Sequence, residues 1–395
     1  MIKAKYIFVR LSLIAIIMGP VLSGCIDEYW PELGAKYDNA LVVDGMITDQ
    51  PGPYIVKLSL TTTVDDPEYK MLSSCLVTIY DDQGTEEILR ETALGIYQTS
   101  PNGIRGKVGG SYRISILTHD NKYYQSAFEK LTLPTGIDSV YSKIEYREVP
   151  DALHPDAGLQ FYIDTQVAET DTNYFLWRLE STFKFNANHR IRYTFDGQFH
   201  PFQNSDTLLT CWRTASVKKV FTYSTVNFQT PVIKQFPLNY VTTETKELSV
   251  RYSLLVKQLS LTLKAYKFWK SMEDLDAESG SMFTKQPYQI RGNVIRVDDE
   301  DEPVLGYFTV AGMSAKRMFV DRPQELDFYY QPACNLITKE LRTVLMTMYL
   351  QWPVLLAGKV TEYGYAPGLT AKKWCVDCTQ EYSGATVNEP SFWDD

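Results

Sequence analysis

Short apolar and aromatic runs, each ended by a cluster of turn-forming residues, recur along this chain and constrain its fold more than any other feature. In the first third of the chain the runs cover residues 41–47, 54–60, 75–80, 112–117 and 123–128. Asp49-Gln-Pro-Gly-Pro53 follows the first run, Asp81-Asp-Gln-Gly84 the third, and His119-Asp-Asn121 joins the last two as a hairpin. Such runs, bounded by Gly, Pro, Asn and Asp, are typical of strands and turns. The pattern predicts an immunoglobulin-like β-sandwich over residues 38–132.

Strand-like runs continue beyond Leu133-Pro-Thr-Gly136, which marks the predicted domain boundary. They cover residues 161–165, 174–179, 190–195, 217–223 and 248–256. Residues 289–295 and 304–310 are expected to pair with each other around the acidic turn 298–302. The sequence therefore predicts a mainly-β chain whose second domain, residues 138–395, is larger, β-rich and carries one or two helices.

Two segments have the apolar spacing of helices. In residues 260–276 one helical face carries Leu261, Ala265, Phe268, Trp269, Met272 and Leu275. Ser260 is the expected N-cap of this helix. A second helix is expected over about residues 337–349, before Pro353.

The N-terminus has the pattern of an export signal. Residues 1–24 carry three basic residues and no acidic one, and an apolar run too short to span a membrane follows the basic start. The run ends in Leu22-Ser23-Gly24-Cys25, the lipobox pattern of bacterial lipoproteins. We expect a signal peptide over residues 1–24, a lipidated tether over 25–37, and lipidation of Cys25; the alternative is a plain signal peptide with an incidental cysteine.

The tether begins with Ile26-Asp27-Glu28, and acidic residues at this place resemble the surface-export signal of Bacteroidota lipoproteins. We expect an outer-membrane protein, anchored through several acyl chains on Cys25, that faces the cell surface. The alternative is an ordinary acidic tether on a protein that faces the periplasm.

The charge balance argues against polyanionic macromolecules as partners. The chain has a formal net charge of −9, which becomes −12 when the three basic residues of segment 1–24 are removed. Without a basic block, attraction to nucleic acid or to anionic lipid is not expected.

Five cysteines remain after Cys25, and an exported chain meets an oxidising compartment. Cys75 lies in a strand-like run and is the expected buried free thiol. Two disulfides that tie down the C-terminal segment are expected among the other four cysteines, with the connectivity left open: Cys211, Cys334, Cys375 and Cys378. The alternatives for Cys375-Val-Asp-Cys378 are half of a zinc site or a redox couple.

The familiar catalytic motifs do not occur in the sequence. It contains no phosphate-binding glycine loop, no nucleophile elbow and no zinc-protease helix. Four histidines are scattered, and we expect surface or loop positions for them: His119, His154, His189 and His200. The acidic stretches 65–66 and 298–302 could hold calcium, but a solvated loop is the preferred interpretation. We expect no catalytic residue, no metal and no cofactor.

Four stretches together resemble a known family: Leu41-Val-Val-Asp-Gly-Met-Ile-Thr-Asp-Gln-Pro-Gly-Pro-Tyr54; Tyr174-Phe-Leu-Trp177; Gly280-Ser-Met-Phe-Thr-Lys-Gln-Pro-Tyr-Gln-Ile-Arg-Gly-Asn293 with Val304-Leu-Gly-Tyr-Phe308; and Cys375-Val-Asp-Cys378 leading to Pro390-Ser-Phe-Trp393. With the lipobox, the chain resembles the Bacteroidota outer-membrane lipoproteins known as domain of unknown function 4249. The chain departs from the family after Cys378, where Thr379 stands in place of an arginine. The resemblance implies no established activity, and only Cys25 carries over as a functional residue.

The resemblance also implies association with TonB-dependent outer-membrane transporters. The leading hypothesis is a non-enzymatic accessory or ligand-binding lipoprotein at such a transporter, with a small molecule, glycan or peptide as ligand. The alternatives are a surface hydrolase of glycans or peptides, and a structural or adhesion module of the cell envelope. Chain order further suggests that the N-terminal sandwich docks the partner.

Overall fold

The computed structural model of this chain describes residues 39–62, 70–150, 154–167, 174–226, 232–278, 290–330, 334–337, 354–361, 364–370 and 372–393. Strands dominate these residues, and one α-helix lies among them. The predicted mainly-β class is confirmed. The signal peptide, Cys25, the tether and nearly all of the second predicted helix lie outside the described residues.

Five of the ten strands in the N-terminal part follow the predicted runs, and the other five are short strands that the sequence pattern did not predict. The ten strands are β1 Leu41–Thr48, β2 Ile55–Leu60, β3 Lys70–Met71, β4 Leu76–Asp81, β5 Glu86–Ile88, β6 Arg90–Ala93, β7 Ile96–Gln98, β8 Ser111–Leu117, β9 Tyr123–Ser126 and β10 Glu129–Lys130. The predicted hairpin is confirmed, because β8 and β9 pair antiparallel across residues 118–122. In the turn after β4, the Asp81 carboxylate accepts hydrogen bonds from the backbone of Gln83 and Thr85, which is the reason that Asp favours such a position.

The C-terminal part has longer strands. They are β11 Ser139–Arg147, β12 Asp156–Gln166, β13 Tyr174–Asn186, β14 Ile191–Phe195, β15 Phe199–Pro201, β16 Thr210–Ser216, β17 Phe221–Ser224, β18 Val232–Thr242, β19 Arg251–Ser260, β20 Val294–Arg296, β21 Leu305–Asp321, β22 Val354–Thr361, β23 Gly364–Thr370 and β24 Ala385–Thr386. Short 3-10 turns occupy Lys246–Leu248, Lys373–Cys375 and Cys378–Gln380. The α-helix, α1, covers Leu263–Glu278.

One large sheet joins the two halves of the chain. Its strand order is β24-β16-β13-β19-β21-β1-β2-β7-β6, with β17 on β13 and β3 on β2. The link is β21, whose first half pairs in parallel with β1 and whose second half pairs antiparallel with β19. Three smaller sheets accompany it: β20-β9-β8-β4-β5 with β10 on β8, β11-β12-β18, and β15-β14-β22-β23.

The N-terminal core lies between the large sheet and the β4–β8–β9 sheet. Val43 and Val56 from the first meet Ile79 and Ile114 from the second, and all four are fully buried. Phe308 of β21 belongs to the same core, so residues far along the chain complete the structure that the sequence assigned to residues 38–132. The immunoglobulin-like arrangement and the domain boundary stay predictions.

The expected pairing of residues 289–295 with residues 304–310 is wrong. β20 pairs with β9, and β21 pairs with β1 and β19, so the two strands belong to different sheets. The physical reason is Asn293, whose side-chain amide bonds both the backbone N–H and the carbonyl of Phe308. The Asn293 side chain and a single backbone bond, from the Gly292 N–H to the Val304 carbonyl, thus take the place of a backbone ladder between these segments.

A second core lies between the large sheet and the β11–β12–β18 sheet. At its centre, Gln258 of β19 is fully buried. Its Oε1 accepts from Trp177 Nε1 and Thr165 Oγ1, each at 2.9 Å, and its Nε2 donates to the Thr135 carbonyl at 2.8 Å. The segment between the two predicted domains is therefore fixed to β19 at Thr135.

Helix α1 covers part of the opposite face of the large sheet. The predicted helix is confirmed, and Ala265 and Phe268 pack on Leu176, Leu259 and Tyr307 as its apolar face requires. The expected N-cap is wrong, because Ser260 is the last residue of β19. Thr262 takes that role, and its hydroxyl accepts from the Ala265 N–H at 3.2 Å.

Candidate ligand-binding cleft

A cleft of about 400 Å³ opens on the face of the large sheet that carries α1. Its lining comes from β1 (Asp44 and Met46), β2 (Lys57), β13 (Leu176 to Glu180), the end of β16 and the loop after it (Ser216 to Val220), β19 (Lys257) and α1 (Trp269). Ligand sites in proteins commonly have volumes of about 300–1,000 Å³. Six different segments thus build a cavity of ligand-binding size.

Alternation along the strands puts charged side chains on this face. Because successive side chains of a strand point to opposite sides, Arg178 and Glu180 face the cleft while Leu179 between them is buried in the second core. Lys257 is the register partner of Arg178 on β19 and shares its face. The charged side chains of Arg178, Glu180 and Lys257, which alternate with buried residues along their strands, therefore form the floor of the cleft.

Trp269 forms the side of the cleft toward the helix. The guanidinium carbon of Arg178 lies 5.0 Å from the centre of the Trp269 ring, which is a cation–π distance. The same guanidinium lies 3.4 Å from the Asp44 carboxylate. Arg178 is therefore held between an aromatic ring and an acid.

Both acids of the cleft have basic partners. Asp44 pairs with Arg178, and Glu180 lies 3.7 Å from Lys257 Nζ and 3.3 Å from an Arg317 guanidinium nitrogen. Among the lining residues that the structure describes there is neither a histidine nor a cysteine. The arrangement offers ionic and aromatic contacts to a ligand.

The C-terminal tail packs beside the cleft. The Arg317 guanidinium, which binds Glu180, lies 3.5 Å from the centre of the Phe392 ring. The next residue, Trp393, is only 4% exposed and packs edge-on against Trp212 and Phe319. The tail thus covers the sheet face on the far side of Glu180 from the helix.

Two disulfides fasten this tail, which confirms the predicted set of cysteines. Cys211 of β16 is bonded to Cys378, and Cys334 is bonded to Cys375. The Asp377 carboxylate accepts from the Thr379 N–H, so the chain turns between Cys375 and Cys378 and sends them to different partners. Because Cys375 and Cys378 are bonded to different cysteines and all four thiols are consumed, both alternatives for Cys375-Val-Asp-Cys378, half of a zinc site and a redox couple, are wrong.

A buried ion pair lies near the same tail. Lys246 Nζ and the Glu381 carboxylate are 2.8 Å apart, and the two side chains are 7% and 12% exposed. Burial lowers the pKa of Lys246 and raises the pKa of Glu381, while their mutual attraction opposes both shifts. The Lys246 ammonium also donates to Asn188 Oδ1 and to the Asn186 carbonyl. These bonds compensate for removing the ammonium from water.

The four histidines lie in separate segments of the fold. His154 stacks on Tyr329, His189 Nε2 is 2.7 Å from the Cys334 carbonyl oxygen, and His200 pairs with Asp196. His119 lies in the β8–β9 turn. No group of three or more possible metal ligands occurs within the described parts of the chain.

Ion pairs and hydrogen bonds engage part of the acidic turn 298–302. Arg296 binds Asp298 at 2.7 Å and Glu302 at 2.5 Å, and Tyr124 donates to Glu302. These contacts tie the turn to β9 and β20. The acids at 65–66 lie outside the described residues.

Sequence reasoning missed a buried carboxylate at Glu129. It is 8% exposed and accepts hydrogen bonds from Thr262, Asn293 and Tyr307. Burial raises its pKa. These four residues come from four separate segments, so no local pattern could have indicated the cluster, which connects β10, the start of α1, β20 and β21.

Cys75 carries a free thiol, as predicted, but lies just before β4 and is partly buried. Burial raises the pKa of this thiol. A raised pKa makes the reactive thiolate scarce.

Comparison with known proteins gives one family. The sequence model with the description "Domain of unknown function (DUF4249)" matches residues 26–317, about three quarters of the chain. No curated protein matches the chain. Within the described residues, no helix has the length and apolar character that crossing a membrane requires.

Proposed function

The chain belongs to the family described as domain of unknown function 4249, and from that premise we propose that it is an outer-membrane lipoprotein acting as a non-enzymatic binding partner of a TonB-dependent transporter. The observation that carries the proposal is the lipobox Leu22-Ser23-Gly24-Cys25. The family match begins at residue 26, directly after the cysteine that would become the first residue of the mature chain.

Lipid on Cys25 would anchor the body of the protein. One acyl chain binds a membrane weakly and reversibly, whereas several chains hold it stably. Asp27 and Glu28 follow the anchor at the place where surface-exported lipoproteins carry acids. We therefore propose exposure on the cell surface, where a nutrient-binding accessory would meet its ligand.

The cleft supports binding rather than catalysis. Its two acids are engaged in ion pairs, and its described lining offers no imidazole or thiol that could act as a base or nucleophile. A glycosidase needs two carboxyl groups with separate acid and base roles. Asp44 and Glu180 are instead both paired with basic side chains.

Metabolic labelling with a fatty-acid analogue tests the anchor. We expect the wild-type protein to incorporate the label and to sediment with the outer membrane, and the Cys25→Ser variant to do neither. Cys75→Ser is the matched control, because it removes the free thiol of the body, and it should be labelled like wild type. Labelling of Cys25→Ser, or an unlabelled wild-type protein, would contradict the proposal.

Protease treatment of intact cells tests the surface position. The wild-type protein should be digested, and a variant with both Asp27→Ala and Glu28→Ala should be lipidated but protected. If the wild-type protein is digested only after the outer membrane is broken, the protein faces the periplasm.

A further inference from the structure

The cleft beside Trp269 has the opposite charge to the chain as a whole. The full chain has a net charge of −9. The cleft is lined by five basic residues, Lys57, Arg178, Lys218, Lys219 and Lys257, and by the two acids Asp44 and Glu180, which gives an excess of three positive charges. A concentration of one sign in a concave site raises the local potential and attracts ions of the opposite sign.

Three of these cations are available to a ligand. Lys57, Lys218 and Lys219 are exposed, and none of them forms an ion pair with a residue that the structure describes. By contrast, Arg178 and Lys257 already neutralise the two acids of the cleft. The excess positive charge therefore lies at the rim, where an incoming anion would meet it first.

A second groove extends the basic surface. Lys219 also lines a cavity of about 530 Å³ with Arg147, Phe221, Tyr240 and Glu273. Arg147 stacks on the Tyr240 ring at 3.6 Å. Glu273, the acid of this groove, is bonded to Thr222 and Lys270. The two cavities thus share the exposed Lys219.

The floor adds geometric selectivity to the charge. The planar guanidinium of Arg178, whose central carbon lies 5.0 Å from the centre of the Trp269 ring, carries paired donors of the kind that bind carboxylate or phosphate. Lysine ammonium groups supply charge without a fixed direction. Such a combination suits a ligand with two or more anionic groups.

We propose that the cleft binds a small polyanion through its carboxylate or phosphate groups. This inference rests on the proposed binding function and names the ligand class for it. The anionic groups contact Lys57, Lys218 and Lys219 at the rim, and Arg178 beneath them. Apolar parts of the ligand lie against Trp269 and Met46.

Titration calorimetry on the full-length lipidated protein in a non-ionic detergent tests the proposal. The probes are citrate and inorganic pyrophosphate, and glucose is the neutral comparison. We expect at least one of the two anions to bind, with an affinity that falls as sodium chloride is raised, and glucose not to bind. Binding of citrate alone assigns carboxylate chemistry, and binding of pyrophosphate alone assigns phosphate chemistry.

Matched charge reversals locate the site. The double variant Lys218→Glu and Lys219→Glu should weaken anion binding at least tenfold. The double variant Lys107→Glu and Lys267→Glu changes the net charge by the same amount, at exposed positions outside the cleft. It should change the affinity for the anion less than twofold. Thermal melting checks that both variants are folded.

If neither citrate nor pyrophosphate binds, or if both double variants weaken anion binding equally, the proposal is overturned. Either result would leave the lipid anchor and the transporter partnership standing, because labelling and co-purification measure those separately.

Discussion

Arg178 and Asp44 form an ion pair across the large sheet, although β19 and β21 lie between the strands that carry them. The guanidinium is 3.4 Å from the carboxylate, and the Arg178 and Asp44 side chains are 29% and 49% exposed. Because the Asp44 carboxylate is paired with the Arg178 guanidinium, it competes with any anionic ligand group that enters the cleft.

Replacing Asp44 with Asn should therefore strengthen polyanion binding several-fold, as measured by calorimetry with the anion that the wild-type protein binds. The free energy of unfolding should change by less than about 1 kcal/mol, because an exposed ion pair contributes little. Asp321→Asn, which breaks the Arg251–Asp321 pair outside the cleft, is the control and should leave the affinity unchanged. A weaker affinity for Asp44→Asn would contradict the account.

Gly306 tests the parallel contact between β1 and β21. Its φ is +78°, and an added Cβ would lie 2.0 Å from the Val43 carbonyl oxygen. Gly384 has a φ of +80° with open space around it. We expect Gly384→Ala to cost about 1 kcal/mol through backbone strain, and Gly306→Ala to cost at least about 2 kcal/mol more through the clash. Urea unfolding measures both, and equal losses would show that β1 does not approach β21 this closely.

The pH dependence of stability tests the Glu129 cluster. Burial raises the pKa of Glu129 in the folded protein, so the folded state holds this proton more tightly than the unfolded state. The stability from this group is complete below its unfolded pKa, near 4.5, and is lost as pH rises through the folded pKa. As pH rises through this range, the free energy of unfolding measured with urea should decline more steeply for wild type than for Glu129→Gln.

Glu302 provides the control of opposite sign. Burial, the largest influence, raises its pKa, but hydrogen bonds from Tyr124 and Arg296 together hold it below its ordinary value. Its contribution is therefore present above the unfolded pKa and lost as pH falls. The free energy of unfolding is measured against pH for Glu129→Gln and for Glu302→Gln. Identical profiles for the two variants would contradict the raised pKa assigned to Glu129.

The two disulfides should stabilise the fold to different degrees. Their cysteines are 167 residues apart for Cys211–Cys378 and 41 residues apart for Cys334–Cys375. Closing the longer loop restricts the unfolded chain more, so replacing Cys211 and Cys378 with Ala should cost about 5 kcal/mol and replacing Cys334 and Cys375 about 4 kcal/mol.

Urea midpoints of the two double variants measure this order. Cys75→Ala, which breaks no bond, is the control and should unfold close to wild type. If loss of Cys334–Cys375 destabilised the protein more than loss of Cys211–Cys378, the shorter loop would be the one that restricts the unfolded chain more.

Local features of the fold could be predicted from the sequence. The β8–β9 hairpin follows from alternating residues around a turn, and α1 follows from the spacing of Ala265 and Phe268. The cysteines of the disulfides follow from the oxidising compartment, but their connectivity does not, because any two thiols are chemically alike.

Long-range features could not be predicted. One of the two partners of β1 is β21, more than 250 residues away, and nothing near Val43 indicates it. Residues 304–310 look like the partner of residues 289–295 because they are near in sequence, yet Asn293 bonds Phe308 through its side chain. The cleft combines Lys57, Arg178 and Lys218, each of which alone is an ordinary charged residue on a strand or loop.

Affinity purification from cross-linked outer membranes tests the central claim most directly. The wild-type lipoprotein should recover a TonB-dependent transporter barrel, identified by mass spectrometry, and Cys25→Ser should not. Cross-links from residues 38–132 would agree with docking through the N-terminal sandwich, and cross-links only from later residues would place the contact elsewhere. A lipidated, surface-exposed wild-type protein that recovers no transporter would contradict the account.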